Sequence, residues 1–155
     1  MSGGGPGSWQ RVPILMYHRV AEDEAAAARD FFSISRQRFA AQLRCLRRLG
    51  YRAVPLDEVL DWLGGTGARP RRSVAITFDD GYADTYHVAA PLLERYGYRA
   101  TVFLVAGRVG QASDWDPQPQ GNGSPLMGWP EARDLARRGF ALGSHTLTHH
   151  APRAG

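Results

Sequence analysis

Ser73-Val-Ala-Ile-Thr-Phe78 runs straight into Asp79-Asp80-Gly81. The first six residues form an apolar, β-branched run of strand length, and the Asp-Asp-Gly behind it is a turn signal. Downstream, Tyr82 to Tyr96 reads as helix, with Pro91 a kink and Gly97 the stop. Thr101 to Val105 is the next strand, and polar, Gly/Pro-rich Gln111 to Gly128 a surface loop. Pro130 then opens a helix in which Leu135 and Ala136 face inward and Gly139 is the stop. Phe140 to Ser144 is a final strand leading into His145. Upstream, Val12 to Tyr17 is a strand, and Ser35 caps a helix whose Phe39, Leu43 and Leu46 share a face, with Gly50 as its end. Tyr51 to Leu56 is a strand, and Asp57 caps a short helix with Val59, Leu60 and Leu63, ending at Gly64-Gly65. Strand-helix alternation predicts an α/β fold with parallel strands and outer helices. Chemistry in such folds collects at the carboxyl ends of strands, where Asp79-Asp80 and His145 both fall.

Length and composition narrow the classes. The 155 residues suffice for one domain, with 43% apolar and 22% charged residues, an ordinary globular balance. No run of apolar residues is long enough to span a membrane, so no transmembrane segment is expected. The start lacks a basic and an apolar region, so no export signal is expected and cytoplasmic placement is the default. Residues 1–10, rich in Gly, Ser and Pro, are expected to be a flexible tail. One cysteine, Cys45, excludes an internal disulfide and reads as a small apolar filler in a helix. The net charge of +4 rests on 19 basic residues, all arginine, with doublets scattered along the chain. Scattered doublets suit solvated surfaces, so no nucleic-acid partner is expected.

Two short motifs carry chemistry. Asp79 and Asp80 sit where a strand ends and Gly81 lets the chain turn, so both carboxylates can reach one pocket. Paired carboxylates need a cation to stay charged, and a divalent metal on one would leave the other free as a base. The alternative is a plain Asp-Asp-Gly turn. His145-Thr-Leu-Thr-His149 places two imidazoles four residues apart, on one face if the segment turns helically, as a shared metal requires. The alternative there is a chance pair capping a helix. Two His plus one carboxylate is a catalytic metal pattern, and both motifs lie at strand ends of one α/β sequence.

Thr77-Phe-Asp-Asp-Gly-Tyr82 resembles the first signature of the polysaccharide deacetylases (carbohydrate esterase family 4, the NodB-homology domain). Ser144-His-Thr-Leu-Thr-His149 resembles the second. Leu15-Met-Tyr-His-Arg-Val20 and Ala100-Thr-Val-Phe-Leu-Val105 are also similar to family members, so the resemblance covers about residues 12 to 150. It implies a distorted (β/α) barrel, with Asp79 as general base and Asp80, His145 and His149 holding a divalent metal, zinc foremost and cobalt an alternative. The substrate implied is an acetylated glycan, such as an N-acetylglucosamine polymer losing N-acetyl or O-acetyl groups, and the cell envelope is the family's usual place of work. His18 and Tyr82 are candidate substrate-binding residues, each also readable as packing.

The family pattern continues with an Arg-containing loop, a groove motif and a Leu-x-His that supplies the general acid. Leu147-Thr-His149 matches that last motif only through a histidine already claimed as a ligand. Residues 11–155 are therefore expected to be the amino-terminal part of a deacetylase domain, truncated, with an open sheet edge and little activity alone. The alternatives are a non-catalytic remnant that binds metal or glycan without turnover, and hydrolysis of a small cyclic amide on the same fold. Asp84, Tyr86 and His87 read as helix surface and packing, His150 as a spare imidazole, and Trp9, Trp62, Trp115 and Trp129 as buried aromatics, with stacking on sugars the alternative. Asn122-Gly-Ser124 matches a glycosylation sequon. Nothing in the sequence specifies an oligomeric state.

Overall fold

All six residues of the strand Ser73–Phe78 are buried, and the other strands assemble around it. The computed structural model describes residues 11–68, 71–115 and 123–149. In chain order these form β1 (Ile14–Tyr17), β2 (Arg19–Ala21), α1 (Glu24–Ala27), β3 (Ser33–Ser35), α2 (Arg36–Arg48), β4 (Arg52–Ala53) and α3 (Leu56–Leu63). Then follow β5 (Ser73–Phe78), a π-turn over Thr85–Ala89, α4 (Ala90–Arg95), β6 (Thr101–Leu104), a 3-10 turn over Ala106–Arg108, α5 (Trp129–Arg137) and β7 (Ala141–Ser144). The main sheet runs β1-β5-β6-β7, and β4 joins the start of β5 as its fifth strand. Every pairing in it is parallel, as the alternation predicts. The fold is therefore α/β, and the described strands form an open sheet rather than a closed barrel. Parallel order brings the carboxyl ends of β1, β5, β6 and β7 to one edge.

Aromatic packing fixes β1 and α2 against the sheet. Phe39, on the inner face of α2, is fully buried, with its ring edge-on to Tyr17 at 5.0 Å and to Phe78 at 5.8 Å. Tyr17 stacks on Phe78 at 5.5 Å, so β1, β5 and α2 meet in one cluster. Leu43 is buried beside them and Leu46 half-buried, the spacing expected of an inward helical stripe. Ser35 caps α2 by accepting the Arg38 N–H at 3.2 Å. On another part of the sheet Val54, Val59 and Ala75 pack with Trp62. No helix among the described residues is long and apolar enough to cross a membrane.

Several local expectations are corrected. α3 is preceded by Pro55, and Asp57 lies within its first turn, where a negative charge meets the helix N-terminus rather than capping it. Leu60 and Leu63 are exposed, since only the Val59 and Trp62 side of that short helix meets the sheet. The segment 82–96 is one distorted helix, as expected: helical residues run unbroken from 83 to 95, with a π-bulge over Thr85–Ala89 ahead of Pro91. Pro91 has no N–H to give and its ring would crowd the turn before it, and a π-turn precedes α4 there. Ala136 is exposed, whereas Ala132 and Leu135 are buried on α5. Cys45 is exposed on α2. Gln111 to Gly128 is more than a surface loop: Leu126 and Met127 are buried, and Ser113 N–H donates to Ser124 O at 2.8 Å. The expected tail, Trp9, His150 and Asn122 lie outside the described residues.

Arg138, just past α5, donates to Glu94 at 2.9 and 2.7 Å and to Asp134 at 3.1 Å. The guanidinium holds both carboxyls below their usual range. A carboxyl lowered in the folded state stabilises above its unfolded pKa, and that stability drains away as pH falls through the folded one. Urea unfolding of R138M is therefore expected to show a shallower loss of stability than wild type below about pH 4. Parallel curves would show that the pair contributes nothing.

Candidate functional site

The turn after β5 builds the first half of the site. The Asp79 N–H donates to Tyr17 O at 2.9 Å, extending the ladder with β1 by one residue. Asp80 and Gly81 then take φ of 71° and 74°, two successive left-handed residues that swing the chain off the strand. Asp tolerates that region better than most side chains, and glycine without cost. Gly81 has a second constraint, because a Cβ there would stand 2.7 Å from Leu104 Cδ2 on β6. The turn therefore presses on the neighbouring strand and delivers Asp80 into the interior, 3% exposed.

The second half comes from the end of β7. The His145 N–H donates to Leu104 O at 2.7 Å. The segment 145–149 is not helical, and Thr146 and His149 hold φ of 65° and 61°. Its shape is set by the end of β6: Ala106 N–H donates to Thr146 O at 3.1 Å, and Gly107 N–H to Leu147 O at 2.9 Å. A Cβ on Gly107 would lie 2.6 Å from that Leu147 oxygen. The two imidazoles thus meet through a pinned loop, not through helical i, i+4 spacing.

Together these halves converge on one point. His145 Nε2 lies 3.3 Å and His149 Nε2 3.1 Å from Asp80 Oδ1. The group can offer three ligand atoms all within 4.8 Å of one another, and it is the cluster of that kind among the described residues. Asp80 Oδ1 is buried without a hydrogen-bond partner among the described residues. An unsatisfied buried carboxylate oxygen is costly, and a cation removes that cost. Tetrahedral bonds of about 2.1 Å put neighbouring ligand atoms about 3.4 Å apart, close to the spacing found. The residues present therefore fit a divalent metal.

Asp79 is half-buried beside this group. Burial pushes its carboxyl above the usual range, while the charges of His145, His18 and His149 pull it back. His18, half-buried at the end of β1, is thus an electrostatic neighbour of Asp79, and its ring lies 4.9 Å from Phe32. Tyr82 sits inside rather than on a groove wall: it is 2% exposed, and its hydroxyl accepts from Trp115 Nε1 at 3.1 Å. The Arg19 guanidinium lies over the Tyr82 ring at 5.0 Å and pairs with Asp84 at 3.0 Å. Trp115, which the sequence marks only as one aromatic in a polar loop, stacks on His149 with ring centres 4.3 Å apart. Asp84, Tyr86 and His87 serve packing, the last two meeting Asp134 and Glu131 on α5.

A sequence profile for the family described as polysaccharide deacetylase matches residues 66–154, a span holding Asp79, Asp80, His145 and His149. The chain belongs to the polysaccharide deacetylase family. YxkH of Bacillus subtilis (strain 168) is 27% identical over 139 residues, 90% of this chain and 43% of its own length. The poly-beta-1,6-N-acetyl-D-glucosamine N-deacetylase of Escherichia coli (strain K12) is 32% identical over 143 residues, 88% of this chain and 20% of its own. Among solved structures, a de-N-acetylase from Aggregatibacter actinomycetemcomitans superposes with a TM-score of 0.74 at 28% identity. That match covers 93% of this chain and 58% of the other. The polysaccharide deacetylase chain thus spans less than half the length of these two curated relatives.

Proposed function

We propose that residues 11–149 form the amino-terminal, metal-holding part of a hydrolase that removes N-acetyl groups from a polymer of N-acetylglucosamine. The convergence of Asp80, His145 and His149 beside the half-buried Asp79 carries this reading. The names of the Escherichia coli and Staphylococcus aureus relatives support the substrate class. Zinc suits the two-imidazole, one-carboxylate set best, and cobalt fits the same ligands. When bound there, such a metal supplies Lewis-acid polarisation of a carbonyl oxygen and makes water a stronger acid.

The chain's own groups divide the remaining work. Cleaving the amide forms a C–O bond from water to the acetyl carbon and breaks the C–N bond, giving acetate and a sugar amine. Asp79 accepts the water proton; its raised pKa makes it a stronger base than an exposed carboxylate. The departing nitrogen needs a proton in turn. His18 is the imidazole near Asp79 that does not belong to the converging trio. The family pattern gives that role to a later Leu-x-His, and His18 stays a candidate substrate-binding residue beside Asp79.

A second reading, a remnant that binds metal or glycan without turnover, is supported by the open sheet of the described strands. Acetate release from β-1,6-linked N-acetylglucosamine oligomers separates the two. Any acetate release is expected to stop with a chelator and to return with zinc or cobalt, as the ligand set requires. Zinc uptake by folded protein with no acetate released from any acetylated glycan would favour the remnant.

A further inference from the structure

His149 lacks the restraint that a metal-binding imidazole ordinarily has. Such a ring usually donates its second N–H to a carboxylate or carbonyl, which fixes its rotation. Here Nδ1 of His149 is buried and meets no hydrogen-bond partner among the described residues. The backbone at His149 is left-handed, with φ 61°, a region uncommon for side-chain-bearing residues though His visits it more than most. Its N–H donates to Thr146 Oγ1 at 2.9 Å, which ties down the main chain and leaves the ring to turn.

What meets the ring is Trp115. The two planes are 27° apart with centres at 4.3 Å, a stacked arrangement. The indole is itself held, since Nε1 donates to the buried Tyr82 hydroxyl at 3.1 Å. Tyr82 in turn lies under the Arg19 guanidinium, which is fixed by Asp84 at 3.0 Å, Asp30 at 3.3 Å and Ser124 Oγ at 2.7 Å. Packed rings thus lead from the β1–β2 region to the imidazole whose Nε2 faces Asp80.

We propose that Trp115 is a positioning residue of the metal centre, its stacked indole replacing the missing hydrogen bond and holding His149 Nε2 on Asp80. The inference rests on Asp80, His145 and His149 binding a metal, and it assigns Trp115 to that site rather than to a sugar platform.

Cobalt(II) titration of the full chain tests it, read by d–d absorption and tryptophan emission, with far-UV circular dichroism as the fold check. Wild type is expected to take one cobalt per chain and lose part of its emission. W115A should bind about 10–100-fold more weakly, the usual cost of losing an outer support. W115F keeps a ring to stack, so its affinity should fall by less than about threefold while the metal-quenched emission disappears. H145A, lacking a ligand, marks complete site loss. A folded W115A binding cobalt as wild type does would overturn the proposal, as would equal losses in W115A and W115F. So would W115A raising KM for a glycan oligomer with cobalt affinity unmoved. If folded wild type takes up no cobalt, the metal reading itself falls, and the role of Trp115 with it.

Discussion

Asp79→Asn should reduce acetate release about 10²–10⁴-fold, the usual worth of a positioned general base, while zinc uptake changes far less. Asn keeps the size and polarity of the side chain and cannot accept the water proton. The geometry separates this residue from its neighbour. Asp80 is buried with Oδ1 against both imidazoles, whereas Asp79 is half-buried outside that trio. Metal-binding and turnover should therefore come apart in the Asp79 variant and fall together in an Asp80 variant. His18→Ala should raise KM for the glycan, with zinc uptake intact, as a substrate-binding role requires. Full turnover in the Asp79 variant would place the base elsewhere, and an equal loss of zinc would make Asp79 a ligand.

Phe39→Ala should cost about 3–5 kcal/mol in urea or thermal unfolding, a large part of the 5–15 kcal/mol that holds a typical domain. The ring is fully buried and touches both Tyr17 and Phe78 edge-on. Removing it opens a cavity where α2, β1 and β5 meet, and β1 has no second strand neighbour among the described residues. The amide protons of β1 should then exchange faster than those of β6. Phe31→Ala is the contrast: Phe31 is 95% exposed, and its loss should stay within about 0.5 kcal/mol. Similar costs for the two would mean that the aromatic cluster does not anchor the sheet.

The central strand and the site turn were legible because their signals are local. Six apolar residues before Asp79-Asp80-Gly81 leave few alternatives to a buried strand ending in a turn. The α2 stripe was equally plain, since Ser35, Phe39 and Leu43 announce cap and inner face together. What escaped depends on distant partners. Leu60 and Leu63 look inward by hydrophobicity, yet among the described residues both stay exposed. Among the described residues the short β2 and β3 pair only with each other, too briefly to show a period. The histidines met for a reason that their spacing did not reveal, namely main-chain bonds from Ala106 and Gly107 to Thr146 and Leu147. Trp115 escaped for the same cause: a lone aromatic in a polar loop carries no sign of the ring that it will cover.

The position of β5 in the sheet also sets a timetable for the newborn chain. β1 and β4 are synthesised first, yet in the main sheet each pairs with β5, as β6 also does. Until residues 73–78 have left the ribosome, the earlier strands of that sheet have no template, and only the small β2–β3 pair can close. Parallel pairing across so long a connection must also wait for loop closure, which makes it slow. Meanwhile Ile14 and Met16, still exposed after folding, are offered to any passing strand. The first half of this protein is thus committed late, all at once, by a six-residue segment that carries the Asp79-Asp80-Gly81 turn at its end.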